Sequence, residues 1–355
     1  MALELEQVGP EGLDEVVAFL RAAFRAPLDA PFLQTDHVHW KYFEPRPDWD
    51  GSRSYVFRDE GGIVAHGGVV PTTYVRPGGD MIRSVFVIDW AASPSHPGCG
   101  LSILRDIAVL ADIRLGFGGS ADTRALVRKI RMSRKYPHEQ VIGELVRAER
   151  SIRPWSSLRD RTIPAWRALA RAGRSAYRNT LRPLRSSGAW KARQIKRFDS
   201  QLPSLGLGAG SSGLILPLRT PELLNYMLDC PSVRFTGFLI ERDGMVCGHL
   251  LLSGCGQEVR VADLVIDSEV VGDWLACYSL AAFTAKRSYP RAGRLTATAA
   301  SGFLQQALLQ AGFSAGWRMP VLAEDRHSMV PPGQVFVLNM MDSDAAFLLL
   351  SPKCN

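Results

Sequence analysis

The stretch with the clearest chemical content runs Val87-Ile88-Asp89-Trp90-Ala91-Ala92-Ser93-Pro94-Ser95-His96-Pro97-Gly98-Cys99-Gly100-Leu101-Ser102-Ile103-Leu104. An apolar run ends at a carboxylate, a Ser/Pro loop follows, and Gly-x-Gly opens a second apolar stretch of helical spacing. A helix that begins there offers unpaired main-chain N–H groups and the positive end of its dipole, which together attract anions. Glycine lets a phosphate approach the backbone with no Cβ in the way. The N–H groups of Gly98, Cys99, Gly100 and Leu101, with Ser102 behind them, are the candidates. A tight strand-to-helix turn uses the same glycines, so the motif alone does not separate the two uses.

Other reactive side chains have two readings each. Asp89 closes an apolar strand, where a buried charge is costly, so it is either a poised base or a paired carboxylate. Glu44, in Trp40-Lys41-Tyr42-Phe43-Glu44-Pro45, is either a base or an exposed loop carboxylate. His66 alternates with apolar neighbours and reads as a core histidine. Cys99 near a helix start could have a lowered pKa, but a nucleophile also needs a base, and His96 is the one neighbour available. Asp36-His37-Val38-His39 lacks the wider ligand pattern of a metal site, and none is expected. The six cysteines form no C-x-x-C pair and read as free thiols.

The elements that position these groups occur twice. In the first half, Leu3 to Val8 reads as a strand, and Val16, Val17, Phe19, Leu20, Ala23 and Phe24 mark a helix. A hairpin at Tyr55–Arg58 and Ile63–Val70, a strand to Trp90, a helix over Leu101–Asp112, a strand at Arg114–Gly118 and a helix over Thr123–Ile130 follow. The second half has a hairpin at Phe238–Glu241 and Met245–Leu252, then strand Val259–Ile266, helix Trp274–Lys286, strand Leu295–Thr298, helix Phe303–Gln310 and a last strand at Gln334–Leu338. Arg58-Asp59 and Arg242-Asp243 stand at the two hairpin tips. A repeat of this length predicts a duplicated domain.

This order, with the Gly98-Cys99-Gly100 loop, resembles the GNAT superfamily of N-acyltransferases. The family's loop has the form Gln/Arg-x-x-Gly-x-Gly/Ala, and Ser95 stands here where Gln or Arg is usual. Gly119-Ser120-Ala121-Asp122 and Leu308-Leu309-Gln310-Ala311-Gly312-Phe313 are similar to further family turns, and Asp342-Ser343-Asp344 resembles tails of tandem members. The resemblance implies an α/β protein of two GNAT-like domains, each a mixed, mostly antiparallel sheet flanked by helices. It implies acetyl-CoA or another acyl-CoA as co-substrate, held by Gly98, Cys99, Gly100, Leu101 and Ser102. Its pantetheine arm would lie along Asp89, Trp90, Ala91 and Ala92. Asp89 or Glu44 would be the base, and Tyr136 the acid, since no Tyr occurs between Leu101 and Ile130 where the family's acid often lies. In the second half, Asp267-Ser268-Glu269-Val270-Val271-Gly272-Asp273 replaces the glycine loop, and its three acids would repel a pyrophosphate.

The 355 residues suit two domains, and the net charge of +7 is unevenly spread. Residues 146–200 hold thirteen arginines and two lysines against three acids, a local +12 that leaves −5 for the remainder. The expected division is 1–145, a first GNAT-like domain; 146–205, a basic helical insert; and 206–355, a degenerate second copy. The insert reads as a solvated segment, with weak contact to an anionic surface as the other option and nucleic acid disfavoured. No apolar run is long enough to cross a membrane and the N-terminus has no secretory pattern, so a cytoplasmic protein is expected. The functional expectation is acetyl or other acyl transfer to a small amine or amino-sugar. The competing one is a fold-keeping scaffold without activity; a homodimer is left open.

Overall fold

A computed structural model of the chain describes residues 3–117, 139–153, 189–207, 213–330 and 333–348, with residues 164, 166, 169, 170 and 173. The expected helix at Thr123–Ile130, its cap Asp122 and Tyr136 lie outside the described residues. So does half of the basic insert.

The first half opens with β1 (Glu6–Gln7), α1 (Leu13–Phe24) and α2 (Thr35–Tyr42). Helix α1 buries Val16, Val17 and Leu20, the stripe its periodicity predicted, and stops where Arg25 adopts a left-handed φ of 50°. Strands β2 (Ser54–Asp59) and β3 (Gly62–Val75) form the first hairpin, and β4 (Met81–Ala92) pairs antiparallel with β3. Helix α3 (Cys99–Ile107) then leads to β5 (Ile113–Gly116), parallel to β4. The helix is shorter than the Leu101–Asp112 pattern predicts. Beyond Ile107 the chain turns, and Asp112 accepts a hydrogen bond from the Arg83 N–H at 2.7 Å.

The described chain resumes with β6 (Glu139–Ser151), β7 (Trp190–Ile195), β8 (Leu214–Pro217) and α4 (Pro221–Leu228). The second hairpin is β9 (Arg234–Arg242) with β10 (Met245–Cys255); β11 (Glu258–Ile266) follows. Helix α5 (Val271–Ser288), β12 (Arg294–Ala299), α6 (Gly302–Gln310), β13 (Ser314–Asp325) and β14 (Val335–Phe336) complete the second half. Both halves are mixed sheets flanked by helices, the fold class expected from the sequence.

Four strands, β6, β7, β8 and β13, were not visible in the sequence. The boundary expected at 145/146 falls inside β6, and residues 190–195, expected to be helical insert, are strand β7. The long final strand is β13, whereas the expected Gln334–Leu338 strand shrinks to two residues pairing with β8. Strand β6 is charge-rich, and Gly316 and Pro320 interrupt the pattern of β13, which hides both from a periodicity search. Cross-strand ion pairs absorb the charges: Glu144 with Arg318 at 2.7 Å, and Arg147 with Glu258 at 2.9 Å.

Strands β6 and β13 define the architecture. Along the sheet the order is β1-β2-β3-β4-β5-β13-β6-β12-β11-β10-β9-β7. Matching β1–β6 with β7 and β9–β13 makes this order a palindrome, in which each half donates its sixth strand to the other. Strand β13 lies between β5 and β6, and β6 lies between β13 and β12. The duplication therefore persists as an interlocked pair.

The register gives the equivalences residue by residue. Asp59 pairs with Gly62 and Arg58 with Ile63, after which a bulge shifts Phe57 onto Ala65. Arg242 pairs with Met245 and Glu241 with Val246, after which the same bulge shifts Ile240 onto Gly248. Asp59 thus matches Arg242, so the Arg-Asp pairs at the two tips are offset by one residue. Ala65 pairs with Ala92 and Gly248 with Ile266. Counting from these anchors, His66 corresponds to His249, Asp89 to Asp263 and Trp90 to Leu264.

Candidate functional site

Strand β4 pairs with β5 only from Ser84 to Phe86, so on that side its end, from Val87 to Ala92, runs on past the last β5 partner while β3 still pairs with its other side. Within that end the β3–β4 register slips between His66↔Ala91 and Gly68↔Ile88, leaving an extra residue on β4. Asp89 sits in this bulge at φ 45°, in the left-handed region that Asp tolerates better than most residues. A bulge frees main-chain groups from the ladder and aims them elsewhere.

The Asp89 side chain is enclosed by the first half's own helix. Its carboxylate takes an ion pair from Lys41 Nζ and a hydrogen bond from Tyr42 Oη at 2.5 Å, both from α2. Lys41 is 1% exposed and Asp89 8%. Burial alone would push the Asp89 carboxyl up, but the Lys41 ammonium and the bonds from Lys41 and Tyr42 more than offset it and hold it below its ordinary range. Of its two sequence readings, the structure gives the paired one. Tyr42 fits because Gly68 beneath it has no Cβ, which would stand 2.6 Å from the hydroxyl. His66 is fully buried, with Nε2 3.1 Å from Ser54 Oγ and Nδ1 3.0 Å from the Asp89 carbonyl oxygen. Burial pushes it down to about 4, so it is the neutral core histidine expected.

The glycine loop meets the end of β4. Trp90 Nε1 donates to the Gly100 carbonyl at 2.7 Å, and a Cβ on Gly100 would lie 3.3 Å from that of Ala92. Gly98 holds φ 94° at the N-cap of α3, and a Cβ there would meet nothing within 4 Å. Cys99 N–H donates to the His96 carbonyl at 3.3 Å and Leu101 N–H to that of Gly98 at 3.0 Å, with Ser102 N–H on the same acceptor at 3.1 Å. Gly98 and Gly100 are the two of the four candidates whose N–H groups are uncommitted among the described residues. Ser95 Oγ lies 2.7 Å from Ser93 Oγ and 3.0 Å from His96 Nδ1, while His96 Nε2 lies 3.0 Å from Asp59. These contacts tie the loop to the first hairpin and turn His96 away from a Cys99 partnership.

The other candidates are not gathered here. Glu44 is half exposed, and its carboxylate lies 3.8 Å from His39. A cavity of about 510 Å³ adjoins the same loop, between Val8, Pro10, Phe43, Trp49 and Asp50, and holds no member of the Asp89 cluster. Among the described residues no group of three metal-ligating side chains converges, and no helix is long and apolar enough to cross a membrane.

The second half holds the same corner in another state. Strand β11 pairs with β12 only from Glu258 to Arg260, and it too carries a bulge, between Asp263 and Val261. Asp263 receives Arg219 through two bonds of 2.9 and 3.1 Å and lies 2.7 Å from His249 Nε2. Here the strand's outer edge is occupied. The Asn339 side chain accepts from Leu264 N–H at 3.4 Å and donates to the Leu264 carbonyl at 3.3 Å. Arg260 Nη1 holds the carbonyls of Ala345 and Leu348 at 3.1 and 2.9 Å. The C-terminal tail, residues 339–348, therefore lies along β11 beside its splay from β12. It reaches both corners: Asp342 bonds Arg219 at 2.5 Å, and the Phe347 ring meets that of Trp40 on α2 edge-on at 5.2 Å, with Asp344 between them in the chain.

Sequence reasoning missed Lys41, Tyr42, Asp344 and Asn339. The Asp342-Ser343-Asp344 tail was the available signal for one of them.

No protein-family model matches the sequence, and no curated protein matches it. Solved structures do. A GCN5-related N-acetyltransferase from Anabaena variabilis aligns over 91% of this chain and 72% of its own, with a TM-score of 0.53 at 10% identity. A tandem GNAT protein from the clavulanic acid biosynthesis pathway aligns over 91% and 98%, at TM-score 0.51 and 12% identity. An N-myristoyltransferase from Saccharomyces cerevisiae, solved with myristoyl-CoA, aligns over 90% and 80%, at 0.51 and 11%. At these identities the likeness is one of fold. The chain has the GNAT fold, in its tandem form.

Proposed function

We propose that the first half binds an acyl-CoA, with acetyl-CoA the first candidate, and transfers the acyl group to a small amine or amino-sugar. The observation that carries this reading is the contrast between two equivalent strand edges. Along β11 the edge is closed by the Asn339 amide; along β4 no side-chain amide lies among the described residues, and an open positive-φ glycine heads the next helix. A pyrophosphate would take the N–H groups of Gly98 and Gly100 at the positive end of α3. The pantetheine arm would follow Trp90 to Ala92, as Asn339 follows Leu264. The thioester supplies the activated acyl group, and a main-chain N–H freed by the bulge would polarise its carbonyl. Asp89, already ionised and paired, serves this chemistry by holding the bulge. Glu44 stands apart from it.

The scaffold reading draws support from Ser95, which is tied to Ser93 and His96, and from the commitment of two of the four loop N–H groups. Calorimetry separates the two. The acyltransferase reading expects one acetyl-CoA bound per chain; no heat at millimolar acetyl-CoA leaves only the scaffold. Trp166 and Leu169, both exposed within the basic segment, support its weak contact with an anionic surface. Loss of anionic-vesicle binding at about 0.3 M salt would reduce that contact to screened charge.

A further inference from the structure

The two corners share a strand aspartate bound to a cation, and the C-terminal tail reaches both: Asp342 bonds Arg219 in one, and in the other the Phe347 ring, three residues past Asp344, lies 5.2 Å from Trp40 and 6.1 Å from His37 on the helix that carries Lys41. In the second half the trio is Asp263, Arg219 and Asp342, all within 2% exposure and joined by ion pairs. In the first half it is Asp89, Lys41 and Asp344. Asp89 is bound to Lys41. Among the described residues, Asp344 alone of the four carboxylates makes no ion pair within 4.0 Å, and it keeps part of its surface exposed. It opens a short 3-10 turn (Asp344–Ala346), whose neighbours fix its position. Ser343 Oγ accepts from Ala345 N–H at 3.2 Å, Ser253 Oγ donates to the Ala346 carbonyl at 2.7 Å, and Arg260 holds Ala345.

We propose that the Asp344 carboxylate, carried by the C-terminal tail into the Lys41–Asp89 corner of the first half, accepts the amine proton during acyl transfer. The inference rests on the acyl-CoA reading above. As the amine nitrogen bonds to the acyl carbon, its N–H proton passes to Asp344 and the C–S bond breaks. The released thiolate takes a proton from solvent and Asp344 returns its own to solvent, so one proton moves overall from nitrogen to sulfur. The charged and titratable groups whose fields reach Asp344 are Lys41 and Tyr42 on α2, Asp89 on β4 and Arg260 on β11, the last bonded to the next residue's carbonyl at 3.1 Å. Burial pushes its carboxyl up to about 6 against the pull of Lys41, with Asp89 adding to the rise. A base in that range is ionised at neutral pH yet still draws a proton. The second half thereby supplies a group the first half lacks, which gives the interlocked duplication a chemical role.

The test uses the full chain and its Asp344→Asn and Asp344→Glu variants. Thiol release from acetyl-CoA is followed from about pH 5 to 8.5 with water, spermidine or glucosamine as acceptor, and acetyl-CoA binding is measured by calorimetry. The expected result is a wild-type rate that rises through about pH 6. D344N should lose that limb and about 100-fold or more in rate, D344E should recover part of both, and acetyl-CoA affinity should stay within about threefold throughout. A D344N enzyme within threefold of wild type with the same pH limb overturns the proposal. So does wild-type protein that binds acetyl-CoA and releases no thiol with any acceptor. Absence of acetyl-CoA binding in the wild type instead fails the acyl-CoA reading beneath it.

Discussion

Replacing Asp89 by Asn tests the central arrangement of the site. Asn keeps the size of Asp and its tolerance of the left-handed φ of 45°, so the bulge itself is not strained by the change. What is lost is the negative charge facing an ammonium that is 1% exposed. Breaking a buried ion pair from one side leaves an uncompensated charge and costs about 3–5 kcal/mol. The Tyr42 hydroxyl keeps an oxygen acceptor, so it adds little to that loss. The pH dependence follows from the sign of the shift. The folded-state pKa of Asp89 is lower than its unfolded value, so the pair stabilises the fold fully above about pH 4. That stabilisation is lost as the pH falls through the depressed folded value. Urea unfolding of wild type and D89N should therefore differ by about 3–5 kcal/mol at pH 7, and the gap should close in acid. The double variant K41M/D89N, which removes both charges, should recover most of the loss. A D89N protein within about 1 kcal/mol of wild type at pH 7 would refute the buried pair as described.

Two further outcomes follow from the loop and the strand exchange. Gly98→Val places a β-branched residue at φ 94°, costing about 1–2 kcal/mol of strain, and should weaken acetyl-CoA binding at least tenfold by calorimetry; unchanged affinity would remove the loop from the site. A chain ending at residue 313 lacks β13 and should show no cooperative unfolding by circular dichroism, because both β5 and β6 lose a partner. A monomeric, cooperatively folded product would show that the halves do not depend on the exchanged strand.

Local pattern carried much of this fold. Both hairpins, the α1 stripe, the β4 strand and the glycine-headed α3 were legible because their signals lie within a few turns or strand lengths of chain. The Gly98-Cys99-Gly100 loop was found for the same reason, as was His66 as a core residue. The sequence also showed that one half has the loop and the other has acids in its place. It misread strands whose stability is borrowed. Strand β6 is rich in charge, and its sense as a central strand comes from Arg318, Glu258 and Arg294, which lie more than 100 residues away.

What only the tertiary structure decided is the pairing of distant groups. Asp89 looked equally suited to be a base or a partner until Lys41 and Tyr42, on a helix 47 and 48 residues earlier, closed around it. Asp344 and Asn339 looked like tail residues until the strand exchange brought the C-terminus across both corners. The duplicated pattern was written in the sequence; the interlocking was not. Strand order depends on which edges meet after the chain has turned back on itself, and a carboxylate's chemistry depends on which charges share its burial. Neither is a property of neighbours along the chain.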